Sequence, residues 1–209
     1  MARCFIFSAG TFYGLREAPR PGELVIAADA GLLHCRALGI TPSLVVGDFD
    51  SMDAPEEDVP TLRLPVEKDD TDSMRAIREG LARGCREFHL YGGTGGDRLD
   101  HTLANLQSLV WLARHGARGW LYDRDFVYTA VENGALTIPR TVEWGLLSVF
   151  AMSGTAEGVT LTGVQYPLDW GSVTCDFPIG VSNHILEPEA TVRVEQGILL
   201  VGWQLPPLA

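Results

Sequence analysis

Four short hydrophobic runs in this chain each break off into Asp or Gly, and that recurrence restricts the fold more than any other feature. Val45-Val46 gives way to Gly47-Asp48-Phe49-Asp50-Ser51, and the run Leu24 to Ala28 to Asp29-Ala30-Gly31. Leu62 to Val66 leads into Lys68-Asp69-Asp70-Thr71-Asp72, and Phe88 to Tyr91 into Gly92-Gly93-Thr94-Gly95-Gly96. If the runs are parallel strands of one sheet, all four loops gather at its carboxyl edge, where open α/β sheets bind ligands. Clustered carboxylates beside a Gly-rich turn point to a Mg²⁺-nucleotide site.

The pattern up to about residue 122 alternates strand and helix. Residues 30 to 38 have short helical periodicity closed by Gly39, a C′ residue. Thr71 reads as an N-cap before Met74, Ile77 and Leu81 at helical spacing, with Gly84 as the stop. Asp100 reads as the cap of a helix carrying Leu103, Leu106, Val110 and Ala113, ended by Gly116. Strands alternating with helices of this length predict βαβ units and a parallel, Rossmann-like sheet over residues 1–124.

Beyond Asp123-Arg124-Asp125 helical periodicity disappears. Seven short runs rich in Val, Thr, Leu and Ile follow: 126–131, 135–138, 146–151, 158–162, 181–186, 191–195 and 198–203. Glu132-Asn133-Gly134 and Glu195-Gln196-Gly197 read as hairpin turns, so residues 125–209 are expected to form an all-β sandwich or partly closed barrel. The expected class is therefore α/β followed by an all-β domain.

Charge excludes one group of functions. The net charge is −11, and residues 126–209 hold only Arg140 and Arg193 against eight acids. A protein that tracks a nucleic-acid backbone needs a basic stripe, which is missing here. An anionic substrate would meet a repulsive field unless a metal or local Arg and Lys offset it. No apolar stretch approaches the roughly 20 residues of a membrane span, and the N-terminal run is too short for a signal peptide. Cys4, Cys35, Cys85 and Cys175 stand far apart without CxxC spacing, which predicts reduced, mostly buried thiols and a cytoplasmic location.

The polar clusters carry the chemistry. Asp48 and Asp50 flank Phe49, and residues two apart on extended backbone point the same way. Carboxylates so placed repel each other unless a divalent cation lies between them, and an all-oxygen set suits Mg²⁺. The alternative is that Asp50-Ser51 caps a following helix. Asp69, Asp70 and Asp72 form a second acidic turn, and a merely solvated turn is its plain reading. The Gly-rich run before Asp97-Arg98-Leu99-Asp100-His101 offers N–H groups and a guanidinium for phosphates. It is neither a Walker loop nor a GxGxxG fingerprint. The five histidines lack metal spacing, and no GxSxG elbow is present.

In series, AADAG, GDFDS, KDDTD and GGTGGDRLDHTLAN, with the later GVSN, resemble the thiamine pyrophosphokinase (thiamine diphosphokinase) family. The resemblance implies transfer of the pyrophosphoryl group of ATP to the hydroxyethyl group of thiamine, giving thiamine diphosphate and AMP. It also implies a homodimer with active sites built between subunits, residues 1–124 binding nucleotide and residues 125–209 serving thiamine binding and dimerisation. Carried over by motif, Asp48, Asp50 and Asp72 are expected to hold Mg²⁺ and, with Asp69, to form the catalytic group. Asp29, Lys68, Arg98 and Asp100 are expected on the ATP side. Ser182 and Asn183, from the β domain of a second subunit, are expected to enclose thiamine. Asp69, Asp72 and Asp100 all stand as candidate general bases.

Two departures from the family pattern occur: Ala30 stands where the first motif often has Gly, and Asp97 intervenes between the last Gly pair and Arg98. Two other readings remain. Residues 44–51 resemble the strand and DxDx[TV] motif of haloacid dehalogenase-type phosphatases, except that Met52 replaces the Thr or Val. A non-catalytic sensor of nucleotide or thiamine would retain the fold without turnover.

Overall fold

Six strands of the first half pair in parallel, and the four central ones are buried almost throughout, as strands covered on both faces must be. They are β1 (Arg3–Phe7), β2 (Leu24–Ala28), β3 (Leu44–Gly47), β4 (Thr61–Arg63), β5 (Glu87–Tyr91) and β6 (Arg118–Tyr122). The computed structural model describes residues 2–48, 59–65 and 69–208. Asp50 and Lys68, and with them the pairing of Asp48 with Asp50, lie outside the described residues.

The spatial order β6-β5-β1-β2-β3-β4 reverses direction at β1, whose neighbours are β2 and β5. Ligands of open α/β sheets bind outside the strand carboxyl ends at such a switch point. Phe5, Phe7 and Tyr91, all nearly inaccessible, pack with Val25, Leu32 and Val45 into the core cluster beneath it. Cys4, Cys35 and Cys85 are buried and Cys175 is exposed, all four as free thiols.

Among the described residues three helices accompany these strands: α1 (Gly31–Ala37), α2 (Asp72–Ala82) and α3 (Leu99–Arg114). Gly39, just past α1, takes φ +66°, the left-handed value that its position as C′ requires. Thr71 caps α2, its hydroxyl accepting the N–H of Met74 at 3.1 Å. Replacing Thr71 with Ala should cost about 1 kcal/mol, read as a lower urea midpoint at unchanged slope; no shift would mean the cap is dispensable.

Two helix expectations are corrected. The buried stripe of α2 is Ala76, Ile77 and Gly80, with Met74 and Leu81 only partly covered. A Cβ on Gly80 would lie 2.6 Å from the Phe88 ring, so the helix approaches the sheet along its smallest residues. In α3 the helix begins at Leu99, which places Asp100 inside the first turn and not at the cap. Of the expected positions Val110 is buried, Leu106 and Ala113 are partly covered and Leu103 is exposed, while Asn105, Ser108, Leu109 and Leu112 are also buried.

The chain divides into two compact units, Met1–Ser108 with Ala117–Arg124, and Leu109–Gly116 with Asp125–Ala209. Residues 109–116 therefore group with the second unit. That unit contains β7 (Phe126–Pro139), β8 (Leu146–Ala151), β9 (Thr155–Thr162), β10 (Leu168–Thr174), β11 (Asn183–His184) and β12 (Glu189–Gln204). Pairing is antiparallel in the order β10-β9-β12-β7. The first half of β12 also pairs β9 and its second half β8, which in turn pairs β11.

The two expected hairpin turns are not turns. β7 runs through Glu132-Asn133-Gly134 and β12 through Glu195-Gln196-Gly197, so four expected strands are two. The register passes from Val194↔Gly134 to Ile198↔Glu132, leaving three residues of β12 opposite Asn133. Asn133 takes φ +42° and Gly197 φ +116°, and Asn133 Oδ1 accepts the Gly197 N–H at 2.8 Å. The left-handed residues make a bulge, which bends the paired strands without reversing them.

Candidate active site

The loops at the carboxyl ends of β1, β2, β3 and β5, with the start of α2, line one cleft of about 750 Å³ in the first unit. Local backbone chemistry places each of them. Asp29 leaves β2 with φ +49°, a conformation Asp tolerates, and its N–H donates to Val46 O at 2.8 Å. Gly31 follows so closely over β1 that a Cβ would stand 1.9 Å from Phe7 O. Asp48 directly follows β3, while Asp69 and Asp70 precede the Thr71 cap and Asp72 opens α2. Ser8 Oγ and Ser73 Oγ, 2.8 Å apart, tie the end of β1 to that same helix start.

Among the sequence-predicted residues, Asp29, Asp48, Asp69, Asp72 and Arg98 line this cleft. Asp70 and Asp97 line it too, and Asp70 is paired with Arg78 at 2.6 Å. Asp100 is engaged by Arg98 through two bonds, Nε–Oδ1 at 2.9 Å and Nη2–Oδ2 at 2.6 Å. That guanidinium holds the Asp100 carboxyl down to about 2. Both side chains are mostly exposed, so the pair adds little stability and Arg98 can exchange Asp100 for a phosphate at small cost.

The glycine loop after β5 is oriented at three successive carbonyls. Gly92 O accepts the Gly10 N–H at 2.8 Å, Gly93 O the Asn105 Nδ2 at 2.8 Å, and Thr94 O the Thr11 N–H at 3.1 Å. Across a trans peptide the carbonyl of one residue and the N–H of the next point oppositely. The N–H groups of Gly93, Thr94 and Gly95 are thus turned away from these anchors. Gly10 and Gly92 permit the close approach, since a Cβ on Gly92 would stand 2.2 Å from Ser8 O.

Asp48, Asp69 and Asp72 offer only oxygen donors to whatever enters the cleft. No group of three or more His, Cys, Asp or Glu side chains among the described residues is gathered closely enough to hold a metal by itself. Mg²⁺ fits this donor set, because it is ordinarily held by one or two carboxylates together with substrate phosphates and water.

Ser182 and Asn183 belong to the second unit. Ser182 is exposed at φ +61°, and its N–H donates to Ser148 Oγ at 3.1 Å. Asn183 is buried, and its carboxamide is occupied by Tyr166, donating to its carbonyl at 2.8 Å and accepting its N–H at 3.0 Å. In the same unit Tyr166, Trp170, Phe177 and Ile179 are each more than 60% exposed.

Sequence reasoning missed Ser8, Gly10, Ser73 and Asn105, all of which line the cleft. The signal was present for the first two: Phe5-Ile6-Phe7 breaks off into Ser8-Ala9-Gly10, a fifth instance of the same punctuation. Asn105 ends the GGTGGDRLDHTLAN run, but nothing beyond that motif singled it out, since a polar residue within a helix ordinarily faces solvent.

Comparison with known proteins agrees with this geometry. Residues 18–121 match the family described as "Thiamin pyrophosphokinase, catalytic domain". Residues 135–199 match "Thiamin pyrophosphokinase, vitamin B1 binding domain". The thiamine pyrophosphokinase of Bacillus subtilis (strain 168) is 29% identical over 184 residues, 85% of this chain and 86% of that protein. The crystal structure of thiamine pyrophosphokinase from Bacillus subtilis superposes with a TM-score of 0.88 at 25% identity, over 97% of this chain and 99% of that one. That of thiamin pyrophosphokinase from Geobacillus thermodenitrificans gives 0.85 at 26% identity, over 98% of each chain. Two family matches in sequence order, the first over a parallel-sheet unit whose strand ends converge on one acidic, glycine-rich cleft, lead to one conclusion: the chain belongs to the thiamin pyrophosphokinase family.

Proposed function

We propose that this protein transfers the pyrophosphoryl group of ATP to the hydroxyethyl oxygen of thiamine, releasing AMP. The observation that carries the reading is that the glycine loop and a set of carboxylates line one cleft at the switch point of the sheet. Such a cleft suits a polyphosphate that arrives with a divalent cation. Neither the haloacid dehalogenase-type phosphatase nor the non-catalytic sensor draws support from the family matches.

In the reaction the thiamine hydroxyl oxygen forms a bond to the β-phosphorus, the bond from that phosphorus to the AMP oxygen breaks, and the hydroxyl proton passes to a base. Gly93, Thr94 and Gly95 would hold phosphate oxygens through their N–H groups, and Arg98 would add charge-assisted bonds once released from Asp100. Asp48 and Asp72, with Asp50, are the carboxylates assigned to Mg²⁺, which supplies Lewis-acid shielding of the phosphate charge when bound. Asp29 and Lys68 are assigned to the ATP side. Asp69 or Asp72 suits the base better than Asp100, since both of them line the cleft and Asp100 does not.

On the acceptor side Ser182 offers an exposed hydroxyl, and Asn183 acts by fixing the backbone of Tyr166. Thiamine is a cation, which an acidic protein attracts. The exposed aromatic and aliphatic side chains of the second unit support assembly into a homodimer, with that unit serving the cleft of the other subunit. The buried free thiols fit a reducing cytoplasm. No helix among the described residues is long and apolar enough to cross a membrane.

The test is incubation with ATP, Mg²⁺ and thiamine, with chromatographic separation of the nucleotides. AMP should appear in step with thiamine diphosphate, and only when thiamine and metal are both present. ADP or free phosphate as the product would reject the reading.

A further inference from the structure

The glycine loop carries four glycines in five residues, the composition with the most backbone freedom to lose on ordering. Two buried polar contacts nevertheless hold it. Asn105, from the interior of α3, is only 7% exposed and donates to Gly93 O at 2.8 Å. Thr94, at the centre of the loop, is 6% exposed and donates its hydroxyl to Asp123 Oδ1 at 2.8 Å, just beyond the end of β6. These contacts lie on either side of the peptide that joins residues 93 and 94. Together they fix the orientation of that peptide, and with it the path of a loop whose Gly92, Gly93, Gly95 and Gly96 line the cleft.

We propose that Asn105 and Asp123 are positioning residues for the nucleotide: they hold the glycine loop in its phosphate-receiving shape before the ligand arrives. The proposal rests on the assignment of this cleft to ATP. Neither residue needs to touch the reacting atoms. Their contribution is preorganisation, because a loop already ordered does not lose its conformational freedom on binding. The Thr in the Gly-Gly-Thr-Gly-Gly run then has a specific task, to place one side-chain hydroxyl where Asp123 can grip an otherwise featureless loop.

The decisive variants act on that hydroxyl, since Thr94→Val keeps the shape and removes the O–H, whereas Thr94→Ser keeps the O–H. Binding of a non-hydrolysable ATP analogue with Mg²⁺ is measured by calorimetry, which does not depend on turnover. Thr94→Val should weaken binding about 10-fold, equivalent to about 1.4 kcal/mol, with Thr94→Ser close to the parent. Asn105→Leu should weaken it comparably. In steady-state assays KM for ATP should rise while KM for thiamine stays constant. Unaltered analogue affinity in Thr94→Val and Asn105→Leu would overturn the proposal, as would losses shared equally by both substrates together with a lowered midpoint. If the parent binds the analogue but forms no AMP with thiamine, the assigned reaction fails and the positioning role is still decided by the affinities. If the parent does not bind it, both fail.

Discussion

Asp48→Asn is expected to lower kcat by about 10²–10³-fold while leaving thiamine affinity close to the parent value. The substitution preserves volume and removes one negative charge at the point where β3 opens into the cleft. Under the proposed assignment thiamine binding does not use that charge. The transition state does, because the phosphate oxygens gain and redistribute charge as AMP departs, and stabilisation realised only then appears in kcat. Single-turnover AMP formation and a separate thiamine titration distinguish the two effects. Near-parental kcat would remove Asp48 from the metal assignment, and a matching loss of thiamine affinity would place it on the acceptor instead.

Gly31→Ala is expected to destabilise the protein by roughly 3 kcal/mol or more, at the upper end of overpacking penalties. The added carbon would stand 1.9 Å from Phe7 O and 2.4 Å from Phe7 C. Both are backbone atoms of a central strand bonded on each side to β2 and β5, so the contact cannot be relieved by rotating a side chain. Relief requires α1 to lift from β1, and that would carry Asp29 with it. Urea denaturation gives the stability, and nucleotide binding in the surviving folded fraction reports the displacement of Asp29. A loss below about 1 kcal/mol would show that the helix can re-seat.

The features legible in advance were local ones. Thr71 predicts its cap because the hydroxyl and the Met74 N–H it accepts are three residues apart. Gly39 predicts the end of α1 because only the chain's own geometry demands φ +66° there. Asn133-Gly134 misled for the opposite reason. The same left-handed backbone serves a hairpin or a bulge, and the Gly197 N–H, 64 residues away, makes it a bulge. Asp100 misled similarly: it has the chemistry of a cap, but the helix begins one residue earlier and Arg98 claims its carboxylate.

By itself the sequence determined that strand ends alternate with acidic and glycine-rich turns, and hence that any parallel sheet built from them would carry its polar chemistry on one edge. That follows from chain direction alone, since every βαβ unit returns the next strand with the same polarity. Only the tertiary structure decided that β5 enters beside β1, that Asn105 reaches Gly93 O, and that Thr94 reaches Asp123. The last two contacts join residues 12 and 29 positions apart. Their partners become neighbours only once the sheet order is set, and burial then makes each unmet hydrogen bond too costly to leave open.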